Sequence, residues 1–189
     1  MSQPQEPPTA KLLMGFLFTD LHRRKQALEM LCERFGPLDF LSQAEPFLYT
    51  DYYQEEMGEG IHRQVATFLN LVSQEQLPEI KHITNDMEKK LSVEGERRVN
   101  IDPGLLSPER LVLATGKNFT HRIYLGKGIY GDLTLLYKRG AYRPLPWTYP
   151  DYREPRLLHY LGVIRRKLQF QHKGRLPRKG PVGGGEVDR

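Results

Sequence analysis

The segment TGKNFTHR places Lys117, Asn118, His121 and Arg122 within six residues of one another. Cations and amide donors gathered on a turn suit a carboxylate or a phosphate. His121 adds a side chain that titrates near neutral pH and is the best candidate in the chain for a general acid or base. Asp51 and Asp102 are the acidic candidates, for proton transfer or for holding an Mg²⁺ delivered with a phosphorylated ligand. Asn100 and Lys127 are further polar candidates for the ligand, and Trp147 or Tyr149 would supply a flat wall against it.

Each of these residues also has a structural reading. Gly116 would serve as the C-cap of a short helix, which would make TGKN a terminus rather than a site. Alternation along a strand sets His121 and Arg122 on opposite faces, with His121 toward the core and Arg122 beside Tyr124. Asp102, before Pro103-Gly104, reads as a turn residue bonding its own backbone. Trp147, Tyr149 and Tyr152 lie in a Pro-rich stretch and would clamp the fold.

Several chemistries are excluded. No Gly stands at the offset before Gly116-Lys117 that a Walker loop requires, and Asn118 replaces its Ser or Thr. GKGIYG, from Gly126 to Gly131, matches the letters of a dinucleotide fingerprint but sits in a hairpin rather than between strand and helix. No HxH, HExxH or CxxC spacing occurs, so a dedicated transition-metal site is not expected. Ser107 reads as a cap and no G-x-S-x-G occurs, which leaves nucleophilic catalysis without a carrier. Two classes survive: a small anionic, phosphorylated or nucleotide-like ligand, with or without a reaction, and a non-catalytic RNA- or protein-binding module using sheet aromatics and a basic tail.

The elements that must position these residues follow from pattern. Residues 11–19 (KLLMGFLFT) form a nearly continuous apolar run, as in a strand covered on both faces. Asp20 caps a helix that Gly36-Pro37 ends. Residues 38–53 read as extended, 63–72 as a strand, 74–91 as a helix and 97–101 as a strand ended at Asp102-Pro103-Gly104. Ser107-Pro108 opens a short helix ending by Gly116. Residues 121–125 and 129–137 form an antiparallel hairpin, and 155–170 a last helix. The order predicts an α+β fold: a split βαβ, ferredoxin-like antiparallel sheet with helices on one face, extended by the hairpin and covered by the last helix.

Length and charge bound the rest. The 189 residues fit one domain at 11–171, with a loose start at 1–10 and a disordered basic tail at 172–189. The tail has five Lys or Arg against two acids, so it carries +3 of the net +5 and leaves the body nearly neutral. That weakens the case for nucleic acid. A single cysteine, Cys32, no apolar run of membrane-spanning length and no secretory start point to a cytoplasmic protein.

FGP (35–37), YTDYY (49–53), NIDPG (100–104), TGKN, HRIYLGKGIY (121–130) and PLPWTYPDY (144–152) together resemble the prokaryotic family called domain of unknown function 4416. The resemblance covers roughly residues 10–170 and brings no activity with it. The chain departs from the family in having Gly-Leu-Leu after NIDP, where many relatives have Gly-Tyr-Leu, and in its long basic tail.

Overall fold

The computed structural model describes residues 1–50 and 53–174. Strand β1 (Ala10–Phe18) is buried along its whole length. Leu12, Met14, Phe16 and Phe18 enter one hydrophobic core and Leu13 enters another, as period-2 geometry requires of a central strand. Lys11 is tolerated there because its Nζ donates to Asp39 Oδ2 at 2.8 Å and to the Phe68 carbonyl at 2.9 Å. Helix α1 (Leu21–Phe35) starts at Asp20, whose carboxylate accepts from the His22 and Arg23 amides. It stops at Gly36, where φ is 94°.

Strands β2 (Leu38–Leu41) and β3 (Glu45–Pro46), helix α2 (Gln54–Met57) and β4 (His62–Val72) follow. A 3-10 turn then leads into α3 (Leu77–Leu91) and β5 (Val99–Leu106). The remainder comprises β6 (Arg110–Thr115), β7 (Arg122–Gly126), β8 (Ile129–Lys138), β9 (Ala141–Pro144), a second 3-10 turn and α4 (Pro155–Lys173). The nine strands of the described residues join one antiparallel sheet in the order β2-β4-β1-β5-β6-β8-β7, with β3 on β4 and β9 on β8. Helices α1 and α3 contribute Ala27, Leu31, Ile80 and Met87 to the core on one face of the sheet, the first face. Helix α4 contributes Leu157, Leu161 and Ile164 to the core on the second face. The chain is therefore α+β, built on a large antiparallel sheet with helices against both faces. No helix among the described residues is long and apolar enough to cross a membrane.

Two expectations are corrected. Residues 107–116 are not a helix: Ser107 Oγ accepts from the Glu109 and Arg110 amides, but what it caps is a turn between strands. Leu111 and Leu113 then enter the second-face core while Val112 and Ala114 pack against the first. That strict alternation across a sheet covered on both sides overrides the helix-start signal. Gly116 accordingly ends a strand. Nor does the chain turn at Asp102-Pro103-Gly104, because β5 runs straight through it. The Pro is accommodated because β5 pairs with β6 only from Gly104 onward, so its missing N–H breaks no ladder bond. Gly104 is needed where pairing begins, since a Cβ there would lie 2.7 Å from Leu113 Cδ2. At the C-terminus, α4 runs to Lys173 and ends on Gly174 in the left-handed region. The rest of the expected tail, and Asp51, lie outside the described residues.

Candidate functional site

The candidate residues separate into two clusters, each centred on a carboxylate of the second face. Gly104 registers with Leu113, and Leu113 with Asp132, so Asp102 and Asp132 lie on the same face two strands apart.

The first cluster fills the seam where β5 has left β6. There Ile101, registered with Phe16 of β1 on one side, has no β6 residue on the other, and α3 supplies side chains instead. Glu88 Oε1 accepts from the Ile101 amide at 2.7 Å, and Lys81 Nζ donates to the Ile101 carbonyl at 3.0 Å. Lys81 also pairs with Asp102 at 3.3 Å, and Asn100 Nδ2 donates to the other Asp102 oxygen at 2.6 Å. Arg97 closes the circuit through Asn100 Oδ1 (2.6 Å), Glu88 (3.2 Å) and Glu56 (2.5 Å). Burial pushes the Glu88 carboxyl above its ordinary range, although Lys81 pulls it back. Next to Asp102, Gly15 of β1 leaves a space that the Tyr152 hydroxyl occupies, 2.8 Å from where a Cβ would stand. Arg63 covers the Tyr152 ring and pairs with Asp151 at 2.8 Å.

The second cluster hangs on Asp132, which is buried in β8. Its Oδ2 accepts from Arg122 Nε at 2.9 Å and faces His121 Nε2 at 3.2 Å. Arg122 donates further to the Lys117 carbonyl (3.0 Å) and to Tyr149 Oη (2.8 Å). His121 and Arg122 do not diverge as alternation predicts. β7 begins only at Arg122, and His121 belongs to the preceding turn, closed by the Arg122 amide on the Phe119 carbonyl. The indole of Trp147 stacks on the His121 ring at 5.0 Å between centroids and 16° between planes, with Phe119 edge-on at the same imidazole.

Trp147 is itself fixed. It sits in a turn where Leu145 N donates to Thr148 Oγ1, Thr148 Oγ1 donates to the Thr134 carbonyl, and Trp147 Nε1 donates to the Leu133 carbonyl at 2.8 Å. His121 Nε2 lies against Asp132, and no described residue bonds to Nδ1.

Tyr53 links the clusters: burial raises its hydroxyl's pKa, helped by the Asp102 charge, and Tyr149 and Asp151 act on it as well. Asn100 and Asp102 thus fall in the first cluster, and His121, Arg122, Trp147, Tyr149 and the Lys117 backbone in the second. Asn118 is exposed on the turn beside the second. Lys127 joins neither: it occupies the β7–β8 turn with φ 52° and pairs with Glu79 of α3 at 2.6 Å.

The family described as Domain of unknown function (DUF4416) matches residues 8–168. The chain belongs to it. No curated protein and no solved structure matches. Segments singled out in the sequence meet around the two carboxylates: NIDPG supplies Asn100 and Asp102, TGKN and HRIY the partners of Asp132, and PLPWTYPDY the Trp147–Tyr152 wall. Sequence reasoning missed Asp132, Lys81, Glu88 and Arg97. Asp132 had a signal, an acid inside the apolar run IYGDLTLLY. The others sit in patterns that read as ordinary solvated helix or loop charge.

Proposed function

We propose that this family member binds a small anionic ligand bearing a planar ring, of nucleotide-like chemistry, on the shelf formed by Trp147, Tyr149 and Phe119 beside the Asp132 node. The supporting observation is that one buried carboxylate oxygen holds both His121 and Arg122, while Trp147 stacks on that same His121. A ring would lie against exposed aromatic surface, and stacking of this kind contributes about 1–3 kcal/mol. Of the five N–H donors of Arg122, three are engaged, and the other two are available to an anion near Lys117 and Asn118. His121 Nδ1 would accept a hydrogen bond, or a proton if a reaction occurs.

Among the described residues no group of three His, Cys, Asp or Glu side chains could hold a metal. Asp102 is engaged by Lys81 and Asn100, so an Mg²⁺ would come with the ligand's phosphates. On fold, we read β1-α1-β2-β4-α3-β5, with spatial order β2-β4-β1-β5, as a split βαβ unit to which β6–β9 are added.

The exposure of Phe119, Tyr124, Trp147 and Tyr149 near one sheet edge favours a second reading, a strand of RNA laid across them. A thermal-shift screen against mononucleotides, phosphosugars and short RNAs, with and without Mg²⁺, separates the two. A ligand of the native state at a hundred times its Kd adds about 2.7 kcal/mol of stability. A shift with a mononucleotide, lost in Arg122→Ala, supports the first reading. Salt-sensitive shifts with RNA alone would replace it by the second.

A further inference from the structure

Helices α1 and α3 cover the first face over β4, β1 and β5, and α3 also reaches β6 and the start of β8, where Ala114 and Ile129 are buried; the sheet continues beyond them as β7, β9 and the far half of β8. On that continuation Ile123 is 70% exposed, Leu125 41% and Leu136 36%. Register assigns their face. Ile123 pairs with Gly131 and Gly131 with Ala114, which belongs to the first-face core. Leu125 folds over Gly131 beside Val112, both within 3.2 Å of where a Gly131 Cβ would be. Leu136 registers with Arg110 on one side and Arg143 on the other, and Lys138 lies two residues further along the same strand face. Arg110, Lys138 and Arg143 are exposed, and none forms an ion pair with a described residue.

An aliphatic floor whose Leu136 end is bordered by three cations, none paired with a described residue, selects its occupant. A second copy apposed through this face would bring six cations together, which disfavours self-association. RNA would find charge but no ring to stack on, since Ile123, Leu125 and Leu136 are aliphatic. In a layered fold, the element that covers the open part of a sheet beside a packed helix is another helix. We infer that the part of the first face left open beyond α3, carrying Ile123 and Leu125 of β7 and Leu136 of β8, is a docking surface for an amphipathic helix of a partner protein, with leucine-type residues on its inner stripe and glutamates or aspartates flanking them.

The probe is a synthetic helical peptide with Leu at i, i+3, i+4 and i+7 and Glu on both flanks, together with a twin in which every Glu is Lys. Fluorescence anisotropy at moderate salt should show the acidic peptide binding at least tenfold more tightly than its twin. Amide shifts in ¹⁵N spectra should centre on Ile123, Leu125 and Leu136. The combined change Arg110→Glu, Lys138→Glu and Arg143→Glu should invert the preference. These side chains are exposed and have no partner among the described residues, so the fold should survive; Ile123→Glu is an independent variant that should weaken both peptides. Equal affinity for the two peptides, no binding of the acidic one, shifts confined to other surfaces, or dimerisation through Ile123 would each overturn the assignment.

Discussion

Asp102 and Asp132 occupy the same face of one sheet, and each gathers positive side chains from neighbouring segments, yet their surroundings differ in kind. Around Asp102 the partners come from α3 and the β5 approach, and they bond one another: Lys81, Asn100, Arg97 and Glu88 form a connected circuit that also satisfies the Ile101 backbone. Around Asp132 the partners come from a turn and the start of an edge strand, and they end in exposed Phe119, Trp147 and Tyr149. The same chemical device closes a seam in the sheet in one place and holds out a surface in the other. A charged network need not be a site; what distinguishes a site is donors, acceptors and ring faces that remain unused once the protein's own bonds are counted.

The largest effect should come from opening the seam. Glu88→Ala leaves the buried Ile101 amide without its acceptor and removes one of the three acceptors of Arg97, and should destabilise the fold by about 3 kcal/mol. Urea unfolding would measure it, and nucleotide affinity in the surviving folded protein should be unchanged. Asp132→Asn should cost less, about 2 kcal/mol from weakened charged hydrogen bonds, but should abolish ligand binding. If both variants lost stability and binding in equal proportion, the division between the regions would fail.

Trp147→Ala should lower affinity about tenfold, through lost stacking, with little change in the urea midpoint. Titration calorimetry against a mononucleotide reads the first effect and urea unfolding the second.

A smaller effect lies in the pH dependence of stability. Burial holds the Glu88 carboxyl above its ordinary 4.5. Between that value and its folded-state value the native protein retains a proton that the unfolded chain has released, so stability falls as pH rises through the window. Asp39 acts outside it: burial opposes ionisation there, but bonds from Lys11 and Thr67 prevail and hold its carboxyl below the ordinary range. Urea midpoints across mildly acidic pH should fall less steeply with rising pH in Glu88→Gln than in the native chain. Parallel slopes would show that Glu88 does not titrate in this window.

The smallest effect is expected at Lys127, whose exposed pair with Glu79 belongs to neither region. Lys127→Ala should leave both the urea midpoint and nucleotide affinity unchanged.

The strands and helices with one dominant pattern were legible in the sequence. The apolar run 11–19, the Asp20 cap, the helix stripe Leu77-Ile80-Ile83-Met87-Leu91 (with Ile83 partly buried) and the final helix each rest on local rules that tertiary structure did not override. Residues 99–115 were misread because β5 and β6 pair only partly. A Pro inside a strand and a Ser-Pro before one look like boundaries unless the missing ladder is known. His121, Arg122, Trp147 and Tyr149 were legible as chemistry but not as one cluster. What unites them is Asp132, an acid from a neighbouring strand, and the pinned turn at 145–148. Lys81 and Glu88 were invisible because a helix charge that reaches into a sheet seam has the same spacing as one that faces water.

Trp147 is the protein's one tryptophan, so its fluorescence reports directly on the shelf. The most direct test is a titration of that emission with ATP and GTP, in the presence and absence of Mg²⁺, for the native chain and for Arg122→Ala. The account predicts saturable quenching in the native chain, weakened at least tenfold in the variant. Emission that stays unchanged up to millimolar nucleotide, or that is quenched identically in the two proteins, would contradict it.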